Sequence, residues 1–193
     1  MKEVYLIGTG QTPVSKGLNK SNRALAAEAV TRAIHDAGLE KNRVTALVAG
    51  NMMSGILSKQ QQLGPLCADA AGLRGVEAAT VESACASGAA ATRWGFMCVA
   101  GGFHNAVAVC GVEQMTHASK EDTTTALATA SDWETEGGHG ESFISLNAKL
   151  MSLYMKEYGY RRYHAWLAVN LRLRCSGDTC TVILDVHMGV QER

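Results

Sequence analysis

The chain has 193 residues, of which 47% are hydrophobic and 19% are charged, and its formal net charge at pH 7 is zero. This length is sufficient for a sizeable core, and the balanced charge gives no reason to expect nucleic acid or a membrane surface as a partner. No apolar segment reaches the roughly 20 residues that a transmembrane helix needs, and the apolar run near the start is too short for a signal peptide. The six cysteines are therefore expected to be reduced thiols of a cytoplasmic protein.

The first half of the sequence alternates between strand-like and helix-like segments. Four apolar runs are typical of buried strands: residues 4–8, 44–49, 77–81 and 105–110. Helical periodicity separates them, from a cap at Ser21 to a stop at Gly38 and again over 85–100, while 60–72 is helical or irregular. Strands that alternate with helices predict a parallel sheet with helices on both faces.

The amino-acid composition changes twice in the second half of the sequence. Residues 116–142 are polar and predict an excursion out of the sheet domain, and 145–158 return to helical periodicity with Gly159 as a stop. The tail 161–193 holds five of the ten arginines and no lysine, so it does not continue the composition of the preceding sequence.

Cys85 lies in the segment ESACASGAAA, directly after the third predicted strand and at the start of a predicted helix. A thiol in this place meets unpaired backbone N–H groups and the positive end of the helix dipole, and both favour the nucleophilic thiolate. The surrounding side chains are small enough to leave room for a bulky acyl group: Ala84, Ala86, Ser87, Gly88 and Ala89. The alternative interpretation is a small buried hydrophobic residue in an alanine-rich helix.

The segment around Cys85 resembles the nucleophile motif of thiolases, and three further segments are similar to that family in the same order. These are GTGQTP at 8–13, GVEQMT at 111–116 and EGGHGESFISLNAKLMSLYMKEYG at 136–159. The last resembles the loop domain of the sterol-carrier-protein-x and archaeal type of thiolase. The resemblance covers about residues 1–160.

This resemblance implies an α/β thiolase-like fold, with the N-terminal βαβαβαβ half over 1–114, part of the loop domain over 115–160 and an atypical tail over 161–193. It implies an acyltransferase of the acetyl-coenzyme A acetyltransferase type in which Cys85 accepts an acyl group from acyl-coenzyme A. The reaction would be thiolytic cleavage or Claisen condensation of β-ketoacyl-coenzyme A. Coenzyme A thioester is then the substrate, no cofactor or metal is needed, and a homodimer or a complementing chain is expected.

The second half of a thiolase supplies groups that this sequence lacks. It has no Asn-Glu-Ala and no Gly-His-Pro segment, and the surroundings of Cys175 do not match the family's second cysteine. Condensation needs a base and donors for two oxyanions, so Cys85 alone supplies only the covalent step. We therefore expect an incomplete enzyme, and a frameshift, a truncation or a natural half-length relative would each explain the tail.

Two other functions remain open at this point. One is a β-ketoacyl synthase of the same superfamily, which would use carrier-protein thioesters. The other is a non-catalytic fragment or subunit that needs a partner chain, and whose apolar strand 106–110 and Cys85 helix would then expose a hydrophobic face.

Three weaker signals favour structural interpretations. GTGQTP begins like a dinucleotide fingerprint, but Pro13 stands where its third glycine belongs, which favours a tight turn. Cys175, Cys180 and His187 lack zinc-ligand spacing. His139 is interpreted as an exposed loop histidine, although family loop domains pass over the coenzyme A pocket.

Overall fold

The computed structural model describes residues 2–14, 19–159 and 186–187. The chain divides into two compact units, of which the first comprises Met1–His117 with Thr181–Arg193 and the second comprises Ala118–Cys180. Apart from residues 186–187, the tail 161–193 lies outside the described residues, and so do Cys175 and Cys180.

A four-stranded sheet forms the centre of the first unit. Its strands are β1 (Ala46–Gly50), β2 (Glu77–Val81), β3 (Val107–Gly111) and β4 (Val186–His187). The spatial order is β2-β1-β3-β4, with β1 parallel to both β2 and β3, and β4 antiparallel to β3. The register places Gly50 opposite Val81 and Gly111, so the carboxyl ends of three strands meet at one edge.

Helices cover both faces of this sheet, which confirms the predicted architecture. On one face α1 (Asn22–Asp36) and α3 (Leu63–Ala70) share a core with Leu47 and Ala49 of β1. On the other face α4 (Ser87–Ala100) packs against the alternate residues of the same strand. The short helix α2 (Ser54–Leu57) lies between β1 and α3. Because side chains of a strand alternate between faces, one buried strand supplies both cores.

The ends of α1 follow the local signals in the sequence. The Ser21 hydroxyl accepts a hydrogen bond from the Ala24 N–H at 3.4 Å, and Gly38 beyond the helix has a φ of +64°. A serine cap and a glycine in the left-handed region satisfy the unpaired groups at the two helix ends.

The segment 4–8 does not form the predicted strand and contains only a single bridge residue. The edge of β3 away from β1 is paired with β4. Its two flanks contact helices: the Lys2 N–H donates to the Ala100 carbonyl at 3.1 Å, and a Cβ atom at Gly8 would lie 2.4 Å from the Ala33 carbonyl oxygen. Tyr5 and Leu6 between them are exposed, so the run is not buried as predicted. An apolar run favours burial without specifying a pairing partner, which is why the strand prediction was wrong.

The second unit contains α5 (Lys120–Ala128) and α6 (Phe143–Tyr158). Ser142 and Ser145 form a reciprocal capping box at the start of α6, and Gly159 ends it with a φ of +66°. These bounds match the helical periodicity predicted for 145–158. Within the described ranges, no helix is long and apolar enough to cross a bilayer.

Gly64 lies at a close contact between α3 and β2. Its N–H donates to the Thr80 hydroxyl at 2.8 Å, and an added Cβ atom would lie 2.2 Å from the Ala79 carbonyl oxygen. Gly88 is the second residue of α4, as Gly64 is of α3, but no described atom lies within 4 Å of a Cβ atom added there.

We expect Gly64→Ala to lower the free energy of unfolding by about 1–3 kcal/mol, because backbone atoms of β2 must move. Gly88→Ala is the matched control and is expected to leave stability unchanged or raise it by up to about 1 kcal/mol through helix propensity. Urea denaturation followed by circular dichroism measures both. Equal effects of the two substitutions would contradict this account of the α3–β2 contact.

Candidate active site

Cys85 lies on the sharp connection between β2 and α4, at the carboxyl edge of the sheet. It is the central residue of a 3-10 turn over Ala84–Ala86, and its side chain is exposed. The helix predicted from residue 85 begins at Ser87 instead. The thiol is therefore presented just ahead of the helix, at the positive end of the helix dipole.

The backbone of this turn is strained at Ala84, which has a φ of +46°. A residue with a Cβ atom in the left-handed region costs on the order of 1–3 kcal/mol. The Ser87 side chain compensates: its hydroxyl accepts from the Ser83 N–H at 2.9 Å and donates to the Ala84 carbonyl at 2.6 Å. Ser87 is only 5% exposed, so these two hydrogen bonds are shielded from water and hold the turn that presents Cys85.

Small residues keep the space around the thiol open, as the sequence predicts. Ala86, Gly88 and Ala89 are exposed, and Gly88 has open space on the side where a Cβ atom would lie. The side of α4 that packs on the sheet is buried further along the helix, at Ala91 and Val99. The described part of the chain therefore leaves room for an acyl group at the sulfur.

The carboxyl end of β1 supports the turn through a close backbone contact. A Cβ atom added at Gly50 would lie 2.5 Å from the Ser87 carbonyl oxygen and 2.8 Å from the Gly88 nitrogen. Only glycine permits this approach, so the start of α4 is placed directly on the end of a central strand.

A partly buried carboxylate joins the ends of β1 and β3. Glu113 Oε2 accepts from the N–H groups of Met52 and Met53 at 3.1 and 3.0 Å, and Oε1 accepts from Asn51 Nδ2 at 3.2 Å. Asn51 Nδ2 also donates to the Val112 carbonyl at 2.6 Å. We call Asn51, Met52, Met53 and Glu113 the Glu113 clamp.

The Glu113 clamp extends to the strand that precedes the cysteine. The Asn51 N–H donates to the Val81 carbonyl at 3.1 Å, and Asn51 Oδ1 accepts from the Ser54 N–H at 2.9 Å. Asn51 is 5% exposed. The clamp thus ties together the carboxyl ends of β1, β2 and β3, the edge on which Cys85 lies.

Burial dominates the electrostatics of Glu113. It raises the pKa of the carboxyl group above its usual range, although the N–H groups of Met53 and Met52 and the Asn51 amide act in the opposite direction. Sequence analysis assigned no role to Glu113 or Asn51. The sequence did contain a signal, because a polar residue follows each of two apolar runs. Parallel strands end at one edge of a sheet, so two such residues can be expected to lie close together.

The remaining predicted residues belong to other segments of the chain or lie outside the described residues. Gly10 packs on α1, where an added Cβ atom would lie 2.2 Å from the Ala29 carbonyl oxygen, so helix packing accounts for this glycine of GTGQTP. His139 is exposed in the second unit, in agreement with its interpretation as a loop histidine. His187 is described only as part of β4, and no cluster of three or more metal-ligating side chains occurs among the described residues.

Comparison with known proteins identifies the family. Residues 4–153 match the family described as thiolase, N-terminal domain. The chain is 43% identical over 162 residues to an acetyl-CoA acetyltransferase of Methanothermobacter thermautotrophicus, and 39% identical over 159 residues to one of Methanocaldococcus jannaschii. These alignments cover 84% and 82% of this chain. The chain belongs to the thiolase family.

The same alignments cover only 42% and 40% of the two relatives, so the chain spans about two fifths of their length. Solved structures agree on the fold. An acetyl-CoA acetyltransferase from Syntrophomonas wolfei has a TM-score of 0.51 at 21% identity, over 55% of this chain and 28% of its own. The 3-oxoacyl-acyl-carrier-protein synthase III of Aquifex aeolicus has a TM-score of 0.52 at 16% identity, over 60% and 46%.

We expect the pH dependence of stability to reveal the raised pKa of Glu113. The folded state binds this proton more tightly than the unfolded chain does, so unfolding releases it at a pH between the two pKa values. Stability contributed by protonated Glu113 is therefore present at low pH and is lost as pH rises through the folded pKa.

Replacing Glu113 with Gln removes this titration. Relative to Glu113→Gln, the native chain is expected to lose unfolding free energy as pH rises from the ordinary glutamate pKa through the raised folded pKa. Exposed Glu40, which makes no side-chain cap hydrogen bond, provides the control Glu40→Gln, whose profile should parallel that of the native chain. A native profile that also parallels Glu113→Gln would refute the burial argument.

Proposed function

We propose that this chain is the acyl-accepting part of a thiolase-type acyltransferase, with Cys85 as the nucleophile. The observation that supports this most directly is the exposed thiol on a strained, hydrogen-bonded turn between β2 and α4. The family match and relatives with acetyl-CoA acetyltransferase names support acyl-coenzyme A as the substrate class. They also favour a thiolase over the β-ketoacyl synthase alternative.

The proposed chemical step is transfer of an acyl group between two sulfur atoms. The Cys85 thiolate attacks the thioester carbonyl carbon, and the electron pair of the carbonyl moves onto oxygen. Collapse of this tetrahedral intermediate breaks the bond to the sulfur of coenzyme A, which leaves as a thiolate. The backbone N–H group of Cys85 is the proposed donor to the oxyanion.

This step needs only a nucleophile and hydrogen-bond donors, so we propose coenzyme A thioester as substrate, with no further cofactor and no metal. Complete thiolytic cleavage or Claisen condensation also requires a base, which we assign to sequence beyond the two fifths that this chain shares with its relatives. We also propose a cytoplasmic location, because a cysteine nucleophile such as Cys85 has to remain reduced to act.

We further propose that α4 is covered by a second thiolase-type polypeptide, either another copy of this chain or a complementing chain. Large apolar side chains of this helix remain exposed: Trp94 by 38%, Phe96 by 45% and Met97 by 47%. The strand 106–110 does not contribute to this face, because β3 is buried within the sheet. Contiguous exposed apolar surface of this kind marks interaction sites.

Acetyl transfer to Cys85 is the direct test of the proposed step. After mixing with acetyl-coenzyme A, mass spectrometry should find a gain of one acetyl group on a peptide containing Cys85, and Cys85→Ala should abolish it. Cys98→Ala is the control, because partial burial and then nearby Glu77 raise the pKa of the Cys98 thiol and disfavour its thiolate. An acetyl adduct that persists in Cys85→Ala would show that Cys85 is not the nucleophile.

The assembly state tests the proposed partner. We expect the isolated chain to elute from size-exclusion chromatography with light scattering as a dimer or larger species, since its apolar α4 face requires cover. Phe96→Ser with Met97→Ser should shift the distribution toward monomer, whereas Arg93→Ser on the same helix should not. A native chain that is a dispersed, stable monomer would argue against any missing partner.

A further inference from the structure

We propose that the first unit carries a second binding site, a cleft that binds the phosphate group of an organic phosphate. The cleft lies between the amino-terminal end of α1 and the segment 57–63, and its volume is about 520 Å³. Small-molecule sites typically have about 300–1,000 Å³. Its lining includes neither Cys85 nor any residue of the Glu113 clamp.

The charges of the cleft favour an anion. Arg23 and Lys59 line it from opposite sides, both are exposed, and neither has an ion pair among the described residues. None of its lining residues is Asp or Glu. The first turn of α1, a helix of 15 residues, adds the positive end of the helix dipole.

The oxygen of a buried side-chain amide in the same cleft lacks a hydrogen-bond donor among the described residues. Asn22 is the first residue of α1, lines the cleft and is only 4% exposed. Its Nδ2 donates weakly to the Ser58 hydroxyl at 3.5 Å, while Oδ1 is buried and has no hydrogen-bond donor among the described residues. Buried polar atoms are almost always paired, so this oxygen indicates a ligand that supplies an O–H or N–H group.

Together these features define the class of ligand. Phosphate oxygens fit the Arg23 guanidinium, the Lys59 ammonium and the helix N–H groups. The volume exceeds that of inorganic phosphate, and Leu57 and Leu63 supply apolar lining for an organic body. The ligand is therefore a phosphate monoester with a nearby hydroxyl or amide donor. A free small metabolite and the phosphate end of coenzyme A both have this chemistry.

The test is isothermal titration calorimetry of the full chain with three probes: inorganic phosphate, glycerol 3-phosphate and coenzyme A. We expect saturable binding of at least one organic phosphate, tighter than that of inorganic phosphate. Arg23→Gln with Lys59→Gln should weaken it by about tenfold or more, because two charge-assisted contacts are lost. Arg43→Gln with Arg93→Gln changes the net charge equally at exposed sites outside the cleft and should change affinity by less than about twofold.

Asn22→Asp provides an independent variant. It keeps the side-chain size but places a negative charge in the cleft, and a carboxylate in the first helical turn is compatible with the helix dipole. We expect a loss of phosphate affinity of about tenfold or more, with an unchanged far-ultraviolet circular dichroism spectrum.

The probes separate the two sources of the phosphate. Binding of glycerol 3-phosphate that is lost in the cleft variants supports a free metabolite. Binding of coenzyme A alone, with the same loss, supports the phosphate end of coenzyme A. Absence of saturable binding, or binding that the cleft variants leave intact, overturns the proposal. Acetylation of Cys85 is measured separately, so failure of one proposal does not imply failure of the other.

Discussion

The close contact between the end of β1 and the start of α4 is the constraint on which the rest of the site depends. Gly50 brings its backbone against Ser87, and no side chain could occupy the space between them. Ser87 in turn bonds to Ser83 and Ala84, so the strained residue before the cysteine is held from both sides. A thiol is thus exposed on a rigid base, because the backbone rather than flexible side chains sets its position.

The Glu113 clamp supports this arrangement from the neighbouring strands. A carboxylate that accepts two backbone N–H groups and an amide fixes the loop after β1, while Asn51 connects that loop to Val81 at the end of β2. The cost is a partly desolvated carboxyl group with a raised pKa. These residues keep the strand ends in register beneath the turn that carries Cys85.

The surface of the first unit has two exposed regions that differ in chemical character. The Cys85 turn and the apolar residues of α4 lie on one face of the sheet, and the cleft with Arg23 and Lys59 lies by α1 and α3 on the other. An uncovered apolar helix and a buried amide oxygen without a donor are each unfavourable in an isolated domain, and the open thiol is chemically reactive. Acyl transfer, a partner chain and a phosphate ligand account for them separately, and each has its own experimental test.

Local signals in the sequence were sufficient for the helix α1 with its Ser21 and Gly38 ends, for strand β2, for the parallel sheet, and for the position of Cys85 after that strand. Capping, periodicity and motif order act between residues close in the chain, so they can be read directly. Four other features depended on tertiary structure. These are the failure of segment 4–8 to form a strand, the start of α4 at Ser87, the Glu113 clamp and the Asn22 oxygen without a donor. Each of these arises from groups far apart in sequence, and only folding determines which of them meet.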